Sequence, residues 1–90
     1  MQMINEKPHQ KEGIQTRYIG GETLLIDGEK SYVINPPVAF VWHLCDGAHS
    51  IESMVKAVQD KFKLPPGIDL QREIHHILID LDHKALLRGS

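Results

Sequence analysis

The chain has 90 residues, 41% of them hydrophobic, which is enough for one small domain with a single modest core. A formal net charge of −2 argues against a nucleic-acid or anionic-membrane partner, and a single cysteine, Cys45, excludes an intrachain disulfide and fits a reducing cytosol. The first residues have no apolar core of the signal-peptide kind and no later run approaches a membrane span, so a cytoplasmic protein is expected.

Residues 1–13 are polar and lack periodicity, and they read as a flexible N-terminal tail ahead of a domain over residues 14–90. Residues 14–34 read as a three-stranded antiparallel meander. Ile14, Thr16 and Tyr18 alternate with Gln15 and Arg17, and Gly20-Gly21 is a two-residue hairpin turn. Thr23-Leu24-Leu25-Ile26 follows, with Asp27-Gly28 as a second turn of the type I′ kind. Three apolar residues in a row suit a central strand covered on both faces. Residues 30–34 close the meander as an edge strand, with a row of N–H and C=O groups that must be covered or used.

A short buried helix comes next. Asn35 is a favoured N-cap and Pro36 occupies the first helical position, where a missing N–H costs nothing. Val38, Val41, Trp42, Leu44 and Cys45 leave few polar positions, and Gly47 is placed to end the helix. Ser50 then caps a second helix with Ile51, Met54, Val55, Val58 and Phe62 on one face. A link this short between two helices resembles a helix-turn-helix corner. Leu64-Pro65-Pro66-Gly67 breaks the second helix, and Asp69 caps a third to about Lys84. Its core stripe is Leu70, Ile74, Ile77, Leu78, Leu81 and Ala85. Ile79 falls nearly opposite, an exposed isoleucine or the mark of a contact. Leu86-Leu87 should pack back on the core, and Arg88-Gly89-Ser90 fits either a native end or an appended one.

Chemistry-bearing constellations are weak. His76, Asp80 and His83 share a helix face, but nothing else supplies the converging ligands of a metal site, so none is assigned. Cys45 reads as an inert core residue. No serine sits in a nucleophile elbow and no Gly-rich loop opens a helix, so no catalytic residue or cofactor is assigned. A helix-turn-helix with an attached hairpin suggests winged-helix DNA binding, yet Lys56, Lys61, Lys63, Arg72 and Lys84 are interleaved with acids and make no basic face. A groove remains. The edge strand Lys30, Ser31, Tyr32, Val33 and Ile34 faces a helix flank of Arg72, His75, Leu78, Ile79 and Asp82, where an extended peptide can add as a fourth strand. The bland alternative is a sheet and helix packed together, with the polar tail over the edge.

The runs Leu24-Leu25-Ile26-Asp27-Gly28, Val33-Ile34-Asn35-Pro36, Phe40-Val41-Trp42-His43-Leu44-Cys45-Asp46-Gly47 and Ser50-Ile51 resemble the PqqD family, in which an L-N-x-T/P pattern followed by I/V-W-x-L-C-D-G-x-x-S/T-I/V recurs in this order. The resemblance spans residues 14–87. It departs at Pro37, where a small residue or Thr is usual, a change the first helical turn tolerates. The resemblance implies an α+β fold, winged helix-turn-helix-like, with a three-stranded antiparallel sheet followed by three helices. It also implies a recognition element for precursors of RiPPs, the ribosomally made and post-translationally modified peptides. Such a domain binds the leader segment between the third strand and the third helix, and presents the rest to a maturation enzyme such as a radical SAM protein or a leader peptidase. Carried to this sequence, the backbone clamp is Lys30 to Ile34, with the helix flank as the wall. The expected function is therefore a non-catalytic adaptor that captures a leader peptide for a maturation enzyme; the alternatives are PqqD proper in pyrroloquinoline quinone biosynthesis, a lasso-peptide leader-binding protein, and a winged-helix DNA-binding protein. The exposed edge also permits strand-mediated homodimers, swapped ones included.

Overall fold

A computed structural model describes residues 6–65 and 67–88. Strands β1 (Gln15–Ile19), β2 (Glu22–Asp27) and β3 (Lys30–Ile34) precede helices α1 (Pro36–Leu44), α2 (Ile51–Phe62) and α3 (Leu70–His83). The sheet is antiparallel in the order β1-β2-β3, so the fold is α+β, a meander followed by three helices, as the sequence pattern predicts.

Turn chemistry sets the strand register. Gly20 and Gly21, at φ 59° and 82°, lie between the paired residues Ile19 and Glu22, which is the type I′ arrangement. The second turn differs from the expectation by one residue. Asp27 pairs with Lys30, so the loop is Gly28-Glu29, and only Gly28 has a left-handed φ, 62°. That pattern belongs to type II′, which places its glycine first.

One face of the sheet packs on the helices. Thr23, Leu25 and Ile34 lie on it and are buried. The opposite face carries Arg17, Leu24 and Val33 in one cross-strand row. Val33 there is 62% exposed, and Leu24 and Ile26 are half-buried. The central strand is thus covered on one face, not two. Its outward apolar residues lie beside cross-strand neighbours and stay partly exposed, a common state for apolar surface.

Side-chain caps start all three helices. Asn35 Oδ1 accepts the Val38 N–H at 3.0 Å, Ser50 Oγ the Ser53 N–H at 3.1 Å and Asp69 Oδ1 the Arg72 N–H at 3.2 Å. Trp42 of α1, 1% exposed, sits in the core with Leu25, Met54, Ile74, Leu78 and Leu81. Truncating a buried tryptophan costs roughly 3–5 kcal/mol, a large share of the total stability of a domain this small. Phe40 meets Phe62 edge-to-face, with centroids 5.7 Å apart, and ties α1 to α2.

The expected loose tail does not hold from Pro8 onward. The Gly47 N–H donates to Pro8 O at 3.0 Å and the Gln10 N–H to Cys45 O at 2.8 Å. The Lys11 N–H donates to Leu86 O at 2.9 Å and the Arg88 N–H to His9 O at 2.8 Å. Gln10 Nε2 also donates to Trp42 O at 2.9 Å, a second donor on the carbonyl that already accepts the Cys45 N–H at the end of α1. This clasp joins the α1–α2 link to the C-terminal segment. Residues 1–5, Pro66, Gly89 and Ser90 lie outside the described residues.

Two left-handed positions have opposite consequences. Gly47, at φ 81°, ends no helix, since Cys45 is the cap of α1; it belongs to the clasp, where an added Cβ would lie 2.7 Å from His9 Cδ2. Ala85 was expected on the core stripe, but it is exposed at φ 58° and follows the cap of α3. The Ala85 N–H donates to Asp82 O and the Leu86 N–H to Leu81 O, each at 3.0 Å, a Schellman ending with alanine where glycine is usual. Ala85→Gly should therefore raise stability by about 0.5–1 kcal/mol, and Gly47→Ala should lower it by about 2 kcal/mol or more. Urea denaturation of both variants checks the two signs.

Candidate functional site

The register decides which backbone groups of β3 are free. In an antiparallel pair, residues that exchange hydrogen bonds alternate with residues that do not, and a two-residue hairpin closes on a bonded pair. Asp27 and Lys30 close this hairpin, so Leu25–Tyr32 and Thr23–Ile34 are the next bonded pairs. Lys30, Tyr32 and Ile34 spend their N–H and C=O groups on β2. Ser31 and Val33 direct theirs away from the sheet, and among the described residues these groups have no partner. Side chains follow the other alternation. Tyr32 and Ile34 face the helices, while Ser31 and Val33 face the open side.

The side chain of Tyr32 reaches the end of α3. Lys84 Nζ lies 5.7 Å from the Tyr32 ring centroid, within cation–π range, and is held by Asp80 Oδ2 at 2.6 Å. Along α3, Arg72 and His75 are exposed, and Ile79 and Asp82 are half-buried, spaced as one stripe. Leu78 is fully buried and belongs to the core rather than to an exposed wall, and Ile34 is 6% exposed. Of the residues picked from the sequence, Ser31, Tyr32 and Val33 thus form the accessible strand element, with Arg72, His75, Ile79 and Asp82 on the helix. Lys30 is exposed at the hairpin end.

Sequence reasoning missed Lys84 and the clasp. A hollow of about 650 Å³ opens beside Asp82 and is lined by Lys11, Glu12, Ala85, Leu87 and Arg88. Two ion pairs border it, Lys11–Asp27 at 3.1 Å and Arg88–Glu12 at 2.8 Å. The only available signal was an i,i+4 Asp80–Lys84 pair; the clasp is made of backbone bonds and leaves no periodic trace.

Elsewhere the chemistry is quiet. Among the described residues no group of three or more His, Cys, Asp or Glu is placed to hold a metal ion, and Asp80, part of the His76–His83 face, is paired with Lys84. No helix of the described residues is long and apolar enough to cross a membrane. Cys45 is fully buried, and its Sγ–H donates to Val41 O at 3.3 Å. Burial, helped by the nearby Asp46 carboxylate, pushes its thiol up to about 12. Asp46 itself is held below the usual carboxylate range, first by its hydrogen bond to His49 and then by the Ala48 N–H.

The family model for coenzyme PQQ synthesis protein D (PqqD) matches residues 22–87, from the start of β2 through β3 and α3 to Leu87. The chain belongs to the PqqD family. Two solved structures share the PqqD-type fold. The PqqD truncation of PqqCD from Methylobacterium extorquens, described as a functional, stand-alone RiPP recognition element, superposes with a TM-score of 0.77 at 18% identity, over 97% of this chain and 96% of that one. TbiB1, solved in complex with the TbiA(beta) leader peptide, superposes with a TM-score of 0.74 at 18% identity, over 91% of this chain and 96% of that one. No curated protein matches the sequence.

The raised Cys45 thiol has a pH signature. It stays protonated in the folded state until about pH 12, whereas the unfolded thiol ionises near the ordinary value of 9.0. The contribution is therefore complete below pH 9.0 and declines above it, by at most about 1.4 kcal/mol per pH unit. Comparing native Cys45 with Cys45→Ala by urea denaturation between pH 8 and 10.5 should show the extra downward slope in the native chain only.

Proposed function

We propose that this PqqD-family chain is a non-catalytic adaptor that captures the leader segment of a ribosomally made precursor peptide as a fourth strand on β3 and presents it to a maturation enzyme. The observation that carries the reading is the outward N–H and C=O pair on both Ser31 and Val33, with Tyr32 between them facing the helices beneath Lys84. The likeness in fold to TbiB1, which was solved in complex with the TbiA(beta) leader peptide, supports leader capture. The domain does this work with no cofactor or metal of its own.

The alternation of a strand fixes what the peptide must offer. A leader residue opposite Tyr32, and those two positions to either side, point into the groove toward α3. Their neighbours point to the open face beside Val33. Four backbone hydrogen bonds at about 1 kcal/mol each fall well short of the roughly 8 kcal/mol of a micromolar complex. Ordering the peptide costs more still. The groove side chains must supply the difference, so Tyr32 and Ile79 form the apolar contact. Arg72, His75, Asp82 and Lys84 set register and selectivity by charge. Holding the leader raises the local concentration of the segment to be modified at the enzyme's active site. The partner is a radical SAM protein in a pyrroloquinoline quinone setting, or a leader peptidase in a lasso-peptide setting; the neighbouring genes distinguish them.

Three variants test this with leader peptides encoded beside the gene, by isothermal titration. Val33→Pro removes an outward donor and leaves the β2 ladder intact, so the domain should fold and lose binding at least roughly tenfold. Tyr32→Pro removes a ladder donor and should instead destabilise the fold. Ile79→Asp should weaken binding roughly tenfold through lost apolar burial. A folded Val33→Pro variant that binds at native affinity contradicts strand addition.

A further inference from the structure

The sheet has a second open edge. Ile19 and Glu22 close the first hairpin, so Ile19, Arg17 and Gln15 bond to β2, and Thr16 and Tyr18 direct their backbone groups outward. Among the described residues these groups have no backbone partner. Beside this edge, on the helix-facing side, lies a cavity of about 310 Å³. Phe40 of α1 and Phe62 of α2 wall it, and Tyr18 closes it from the strand. Its polar rim is Tyr18 Oη, 3.3 Å from His43 Nε2, and the ammonium of Lys61. No acidic residue lines it, and Lys61 has no ion-pair partner among the described residues. The volume holds one large side chain.

We propose that this pocket and the β1 edge form a second docking site, for an extended segment of a partner protein that carries an apolar side chain with a carboxylate two residues away. The spacing follows from the strand period. A side chain that enters the pocket shares its face with residues two positions on, and only those can reach Lys61 and His43. The apolar lining seats the first group. Lys61, the one cationic residue of the lining and unopposed by any acid there, selects the second. The site goes beyond leader capture, and its assignment to the maturation enzyme rests on the adaptor reading. Leader on β3 and enzyme on β1 would occupy opposite edges of one sheet, the two added strands four strand spacings or about 19 Å apart, and bind without overlap.

The test uses a capped five-residue peptide with phenylalanine and, two residues on, glutamate, the rest threonine, and its twin with lysine for glutamate. Each is titrated into the labelled domain and followed by NMR. The glutamate peptide should shift Tyr18, Phe40, His43 and Phe62 and bind roughly two- to fivefold tighter than the lysine peptide. Lys61→Glu, an exposed change that leaves the fold intact, should reverse that preference. Thr16→Pro, which removes an outward N–H, should weaken both. Absent shifts at the pocket, or equal binding of the two peptides, overturns the site. Shifts confined to Ser31, Val33 and α3 also overturn it, and leave leader capture standing.

Discussion

The functional geometry depends on the register of the β2–β3 hairpin. A strand has a period of two, so a slip of one residue would exchange the groups bonded to β2 for those facing outward, and would turn Tyr32 from the groove to the open face. The Gly28-Glu29 turn prevents that slip by closing on Asp27–Lys30, and the salt bridge from Lys11 to Asp27 holds the same corner. From this follow the free groups of Ser31 and Val33 and the placement of Tyr32 under Lys84.

The rest of the molecule keeps that edge still. Trp42 and the apolar faces of α2 and α3 make one core, and the clasp of residues 8–12 closes it by joining the α1–α2 link to the segment after α3. A domain of this size has little stability to spare. Anchoring through backbone hydrogen bonds is an economical way to fix α3, and thus the wall of the groove, relative to the sheet. The edge itself stays unpaired, a liability in most folds and, in the proposed mechanism, the surface on which the leader adds.

Much of this was legible in the chain. Asn35, Ser50 and Asp69 announce the three helix starts, and Gly20-Gly21 announces the first turn, because capping and left-handed backbone are local chemistry. What escaped was set by tertiary context. Gly28 could serve in either of two turn types, and only the pairing of Asp27 chose between them. Leu78 lies where core stripe and groove flank meet on a helical wheel, and packing took it wholly inward. Ala85 has the composition of a helix continuation and the conformation of a stop. The clasp is polar and aperiodic, and its bonds run through main-chain atoms that any sequence possesses. The groove was named as a strand plus a helix face, but which residues of β3 are free required the register.

The most direct measurement is amide hydrogen exchange of Ser31, Tyr32 and Val33 by NMR, with and without a leader peptide encoded beside the gene. Strand addition predicts that the peptide slows exchange at Ser31 and Val33 by an order of magnitude or more, with little change at Tyr32, whose N–H is already in the ladder. Binding that leaves Ser31 and Val33 exchanging at their free rates would contradict capture on the β3 edge.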